Sequence, residues 1–160
     1  MDRVRIGLQV NGRDVEAWVT PNQPLSEVLR TEAGQTDVKY GCGEGVCGTC
    51  TVLLDGDPVN SCLVFAIQAD GASVTTLRGL LEEDGSPGAL QRSFLAHGAS
   101  QCGFCTPGMV LTAHWYVGRH PAPDRDEIRA ALAGNLCRCT GYGKIVDAVE
   151  AYAEEVGRGA

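Results

Sequence analysis

The eight cysteines of this chain fall in two groups of four, and both groups are spaced to gather thiolates around metal. The first runs Cys42-x4-Cys47-x2-Cys50, with Cys62 following after eleven intervening residues. This is the plant-type [2Fe–2S] spacing, C-x4-C-x2-C…C, in which four thiolates hold two bridged irons. The second group pairs Cys102-x2-Cys105 with a distant Cys137-x-Cys139. No cysteine is left over, and two such cages in one chain point to an electron carrier.

Three cysteines that must converge within nine residues require a tightly wrapped backbone, and Gly41, Gly43, Gly45 and Gly48 are placed to allow it. A wrapped loop also brings backbone N–H groups close to the sulfurs, where they favour an anionic centre and tune its potential. In the second group, Cys102 and Cys105 precede a proposed helix whose N-terminal N–H groups would help hold negative charge. Gly134 and Gly141 flank Cys137 and Cys139 and suggest a tight loop between helices, with Arg138 directed outward. Arg138 reads equally well as a solvated arginine or as a partner contact. Zinc is the structural rival, because C-x2-C pairs are common zinc hooks. The second group could satisfy zinc alone, whereas the first has the cluster spacing.

Little else in the sequence could do chemistry. His97, His114 and His120 have no carboxylate or cysteine at ligand spacing and read as surface or packing residues, as Trp18 and Trp115 read as core. No P-loop, GxGxxG or Ser-His-Asp pattern occurs. The formal charge of −7 argues against nucleic acid as a partner. The charged opening, Met1-Asp-Arg-Val-Arg5, is unlike a secretory leader, and the apolar run Leu63–Ile67 is too short to span a membrane. The expected location is the cytoplasm, with co-export on a partner left open.

The elements that must position these cages change character along the chain. Residues 4–10 and 15–19 alternate apolar and polar, and Asn11-Gly12 between them is a strong hairpin signal. A short helix is expected over 25–29, strands over 51–54, 59–62 and 74–77, and a turn at Asp55-Gly56-Asp57. Beyond the breaker-rich stretch at residues 82–88 the pattern is helical, over 88–97, 107–118, 124–133 and 144–155. Thr106-Pro107 reads as a cap before a first-turn proline, and Asp124-x-x-Glu127 as a capping box. The expected fold class is α+β: a β-grasp domain over residues 1–78 and a four-helix bundle over 79–160.

The segments Lys39–Gly56, Gln101–Met109 and Gly134–Tyr142 resemble the iron–sulfur subunit or domain of the molybdenum hydroxylases. These are the xanthine oxidase and aldehyde oxidoreductase relatives, including aerobic carbon monoxide dehydrogenase. The resemblance covers essentially the whole chain in order. Val46 and Thr49 depart from it, standing where glutamine and alanine are expected. It implies a plant-ferredoxin-like domain followed by a helical domain, each with one [2Fe–2S] cluster. Cys42, Cys47, Cys50 and Cys62 would hold the first cluster, and Cys102, Cys105, Cys137 and Cys139 the second.

It further implies a large partner subunit with a molybdopterin-bound molybdenum, against whose pterin Gln101 and Cys139 would lie, and a medium subunit with FAD. Electrons would pass from molybdenum through the helical-domain cluster and the ferredoxin-like cluster towards flavin. No turnover is expected from this chain alone, and its length suggests a separate subunit. The expected docking face carries Gln101, Arg138, Cys139 and Tyr142. Two other readings are a free-standing ferredoxin, which leaves the second cage unexplained, and a zinc-bearing interaction module, which leaves the glycine-rich loop unexplained.

Overall fold

A computed structural model of the chain describes residues 2–159. Its N-terminal half is a five-stranded mixed sheet. Strand β1 (Val4–Val10) and strand β2 (Arg13–Val19) form an antiparallel hairpin turned by Asn11 and Gly12, both at positive φ. That is the backbone of a type I′ turn, which asparagine and glycine tolerate and whose twist matches the strands. Strand β3 (Thr51–Leu54) and strand β4 (Asp57–Asn60) repeat the device around Asp55-Gly56. Asp57 therefore opens the strand rather than the turn. The return strand ends at Asn60, short of the expected Cys62.

Strand β5 (Ser73–Thr75) lies between the hairpins, parallel to β1 and antiparallel to β3, giving the order β2-β1-β5-β3-β4. Helix α1 (Leu25–Thr31) covers one face. The alternation in β1 buries Ile6, Leu8 and Val10 against Val19, Leu25, Val28, Leu29, Val52 and Val74. Each fully buried side chain of this kind contributes about 1.5–3 kcal/mol. Trp18 belongs to the opposite phase of β2 and is 60% exposed, contrary to its expected core role.

The other half is helical. Helix α2 (Ala89–Ala96), α3 (Thr106–Arg119), α4 (Arg125–Ala131) and α5 (Gly143–Gly159) pack around a second, separate core. Leu90, Phe94, Met109, Val117, Ile128, Leu132, Ile145 and Val149 form its centre. The capping box at α4 is present: Asp124 accepts from the Glu127 backbone N–H at 2.8 Å, and Glu127 accepts from the Asp124 N–H at 2.8 Å. The cap expected at Thr106 is absent. Cys105 holds the N-cap position of α3 without a side-chain bond, and the Thr106 hydroxyl pairs with that of Ser100 at 3.0 Å. Arg125 reaches from α4 to Asp147 (2.7 Å) and Glu150 on α5.

The halves meet along two lines. Trp115 and Arg119 of α3 both donate to Asp57 of β4, at 3.0 and 2.9 Å, so Trp115 is a bridge rather than core. The second line joins the two cysteine loops. Among the described residues no helix is long and apolar enough to cross a membrane.

Candidate metal centres

The first cage wraps residues 41–50 and is closed by Cys62. Gly43, Gly45 and Gly48 take positive φ there. Gly41 does not, and its use is space: a Cβ at Gly41 would fall 2.8 Å from Thr49 Oγ1 and 3.0 Å from Cys47 Sγ. Backbone N–H groups turn toward sulfur as the wrapping requires, with Glu44 N donating to Cys42 Sγ at 3.4 Å. That bond, with others from Cys47, lowers Cys42 from an ordinary 9.0 to about 6. At neutral pH this outer sulfur is largely thiolate, the form that ligates metal. Cys50 lies at the buried end, and burial pushes its thiol up to about 11.

The second cage is built from two loops brought together by helix packing. The Cys102–Cys105 turn leads into α3, and the Cys137–Cys139 turn leads from α4 to α5. Cys139 Sγ lies 3.5 Å from Cys102 Sγ, and both cysteines are exposed. The Phe104 backbone N–H lowers Cys102, with help from the Cys139 thiol. Burial pushes Cys105 up to about 12, and neighbouring Cys137 adds to it. Burial also raises Cys137, but bonds from Thr140 outweigh it and leave the thiol lowered. Tyr142, held at positive φ, accepts from the Cys137 backbone N–H at 2.9 Å and donates to Asn135 O at 3.3 Å. It therefore braces the loop from within.

In both cages the thiols interact in pairs: Cys42 with Cys47 and Cys50 with Cys62, Cys102 with Cys139 and Cys105 with Cys137. A two-iron centre takes two thiolates per iron, which this pairing fits. Tetrahedral zinc needs its ligands at one point. Among the described residues, no three of the His, Cys, Asp and Glu side chains meet at a single ion's position.

The two loops touch directly. Leu136, beside Cys137, donates its N–H to the carbonyl of Cys47 at 2.8 Å. Asn135, 4% exposed, donates to Gly48 O at 2.9 Å and to Thr51 Oγ1 at 3.3 Å. The approach demands bare backbone on both sides. A Cβ at Gly48 would meet Gly134 O at 2.3 Å, and one at Gly108 would meet Gly48 O at 2.2 Å. Sequence reasoning missed Asn135, Gly108 and the hydroxyls of Thr49 and Thr140, which lie 3.2 Å from Cys47 Sγ and 3.1 Å from Cys137 Sγ. The hydroxyls could have been suspected from a Thr within three residues of a ligand. Nothing local announces Asn135, whose partners are more than eighty residues away. Gln101 and Arg138 are exposed beside the second cage, together with Cys139.

This geometry matches known proteins throughout. Residues 8–74 match the 2Fe-2S iron-sulfur cluster binding domain family, and residues 76–150 the [2Fe-2S] binding domain family. The chain is 50% identical to the nicotinate dehydrogenase small FeS subunit of Eubacterium barkeri, covering 97% of this chain and 98% of that protein. It is 47% identical to the nicotine 6-hydroxylase small subunit of Paenarthrobacter nicotinovorans, covering 92% and 88%. Among solved structures, a chain of quinoline 2-oxidoreductase from Pseudomonas putida superposes with a TM-score of 0.93 at 47% identity, covering 99% of each chain. The chain belongs to the iron–sulfur subunit family of the molybdenum hydroxylases. It is an electron-transfer subunit of an oxidoreductase and has two [2Fe–2S] domains.

Proposed function

We propose that Cys42, Cys47, Cys50 and Cys62 hold one [2Fe–2S] cluster, and that Cys102, Cys105, Cys137 and Cys139 hold the other. The reading is carried by one observation: the thiols of each group influence one another, most directly as the pairs a two-iron centre needs. A β-grasp domain over residues 1–78 would carry the first, and a four-helix bundle over 79–160 the second. Two separate cores and four helices around one of them support that division. The clusters supply one-electron chemistry, and the chain supplies insulation, spacing and the contact between loops.

The exposed pair Cys102 and Cys139 faces outward, with Gln101 and Arg138 beside it. This is the face we assign to the large subunit, with Gln101 and Cys139 against a molybdopterin-bound molybdenum. Electrons would enter there, cross where Leu136 is hydrogen-bonded to Cys47, and leave from the N-terminal loop towards FAD in a further subunit. Substrate is chosen in the partner, and the chain turns nothing over alone. We assign the chain to the cytoplasm, where thiols held for metal are not lost to disulfides.

Metal analysis of the anaerobically purified chain tests the ligand assignment. Eight cysteines at four per two-iron centre give two centres, hence four irons, four acid-labile sulfides and no zinc. Two irons, or stoichiometric zinc, would sink the assignment. Replacing Gln101 with alanine leaves both centres assembled and slows their reduction by substrate in the reconstituted complex. Unchanged reduction kinetics would remove Gln101 from the route.

A further inference from the structure

Thr49 stands two residues beyond Cys47, at a position where the resembling pattern has alanine, and is 5% exposed. Its hydroxyl lies 3.2 Å from Cys47 Sγ and, among the described residues, has no second partner. A buried hydroxyl without a partner costs about 1–3 kcal/mol, so the sulfur is what satisfies it. In a free thiol either atom can donate. Once Cys47 is a thiolate its sulfur has no proton to give, and Thr49 is the donor.

The surrounding packing keeps this pair close and buries its Thr49 end. The missing side chain of Gly41 leaves room for it. At the point where a Gly41 Cβ would lie, Thr49 Oγ1 is 2.8 Å away, Cys47 Sγ 3.0 Å and Cε1 of Phe104 3.6 Å. Bare backbone at Gly41 and an aromatic edge from the helical half thus border the pair, whose hydroxyl end is buried and whose sulfur is half-buried. A hydrogen bond shielded from water is electrostatically stronger than an exposed one.

We propose that Thr49 sets the reduction potential of the N-terminal centre by donating its hydroxyl proton in a hydrogen bond to Cys47 Sγ, which favours the reduced form. The inference rests on the assignment of Cys47 as a ligand. One-electron reduction adds one negative charge, spread partly over the ligand sulfurs, and neither moves the Thr49 proton nor breaks a bond. A donor fixed on a ligand sulfur stabilises that added charge, since hydrogen bonds to charged acceptors are stronger than neutral ones. Hydrogen bonds to the sulfurs are among the levers that set such potentials. The helical half supplies an internal control. Thr140 makes the corresponding contact to Cys137 at 3.1 Å, and nothing done to Thr49 removes it.

The test is an EPR-monitored redox titration of the full-length, iron-loaded chain, using dithionite and mediators. Thr49→Val keeps the branched shape and deletes the hydroxyl. Thr49→Ser keeps the hydroxyl and deletes the methyl. The N-terminal signal is the one that disappears in Cys47→Ser. Thr49→Val retains four irons, and its N-terminal midpoint falls by the equivalent of a tenfold change in the electron-sharing ratio, ~59 mV for one electron. The second midpoint stays put, and Thr49→Ser restores the first.

Three results overturn the proposal: an unmoved midpoint in fully loaded Thr49→Val, an equal fall in both midpoints, or no restoration by serine. If Thr49→Val loses iron, Thr49→Ala repeats the measurement with space left open rather than filled. Iron loss in both variants makes the hydroxyl an assembly device and rejects the potential-setting role. A wild-type chain without iron would instead refute the ligand assignment, which a loaded chain with an unmoved potential does not.

Discussion

The N-terminal cage is made almost entirely by local chain, whereas the helical cage is made by tertiary packing. Three of the four thiols of the first lie between Cys42 and Cys50, and the fourth follows a single hairpin. In the second, helices α3 and α4 intervene between Cys105 and Cys137. Closing the longer loop costs more chain entropy, although the cost grows only logarithmically with length. The real difference is what holds the ends. Glycine conformations shape the first cage, while the second depends on the packing of Ile128, Leu132 and Ile145 in the helical core. The electrostatics are alike in one respect: each cage has a lowered thiol near its opening, Cys42 or Cys102, and a buried thiol pushed up by desolvation, Cys50 or Cys105.

The largest expected effect breaks one cage and spares the other. Cys47→Ser removes a ligand of the N-terminal cluster but keeps the backbone carbonyl that accepts from Leu136. The variant is expected to lose one of its two EPR signals and half its iron. The sheet half should also unfold more readily, because a small core leans on its metal staple. The helical cage should persist, since all four of its thiols come from the other half. Loss of both signals would show that the second cage needs the first as a template.

A smaller effect is expected where the halves touch. Gly108→Ala would place a Cβ 2.2 Å from Gly48 O, a backbone atom that cannot rotate away. The loop bearing Cys47 must then shift relative to α3, at a cost of about 1–3 kcal/mol. Chemical denaturation should register the loss, and both EPR signals should change, because Leu136 is hydrogen-bonded to Cys47 across the same contact. Undiminished stability with unaltered spectra would mean that the two cages are merely adjacent.

That contrast also explains what could be read without coordinates. The hairpin at Asn11-Gly12, the capping box at Asp124 and Glu127, and the cysteine spacings are contiguous signals with fixed offsets. The structure reproduces each of the first two. Among the described residues of the second half it gives four α-helices where four were expected, with boundaries shifted by a few residues. Three-dimensional placement was harder to see. Strand β5 inserts between two hairpins, one of which, β1–β2, is far from it in sequence, and its three residues carry no pairing rule. Thr106 lost its expected cap because Ser100 takes its hydroxyl. Trp18 is exposed because the alternation of β2 runs through Ala17 and Val19 instead. Asn135 acts on Gly48 and Thr51 across the whole helical half, so no local pattern reports it.

The smallest effect sharpens the comparison through pH. All three histidines belong to the helical half, and the sheet half has none. His114 is the half-buried one, lining a cavity of about 270 Å³ between the connecting segment at Leu80–Glu82 and Tyr152 of α5. Its Nδ1 lies 3.5 Å from the Tyr152 hydroxyl. Burial holds its pKa below the ordinary 6.5, because the charged ring would lose water. Between that lowered value and 6.5 the unfolded chain binds more protons than the folded one. Stability from this group is therefore present above pH 6.5 and is lost as the pH falls through the folded value. Acid should loosen the helical half before the sheet. Hydrogen exchange of the loaded chain on either side of pH 6.5 should show protection falling first in α3 and α5. His114→Gln removes the titration and should flatten that difference. An equal acid response in both halves, or an unchanged slope in His114→Gln, would detach His114 from the acid sensitivity of the helical half.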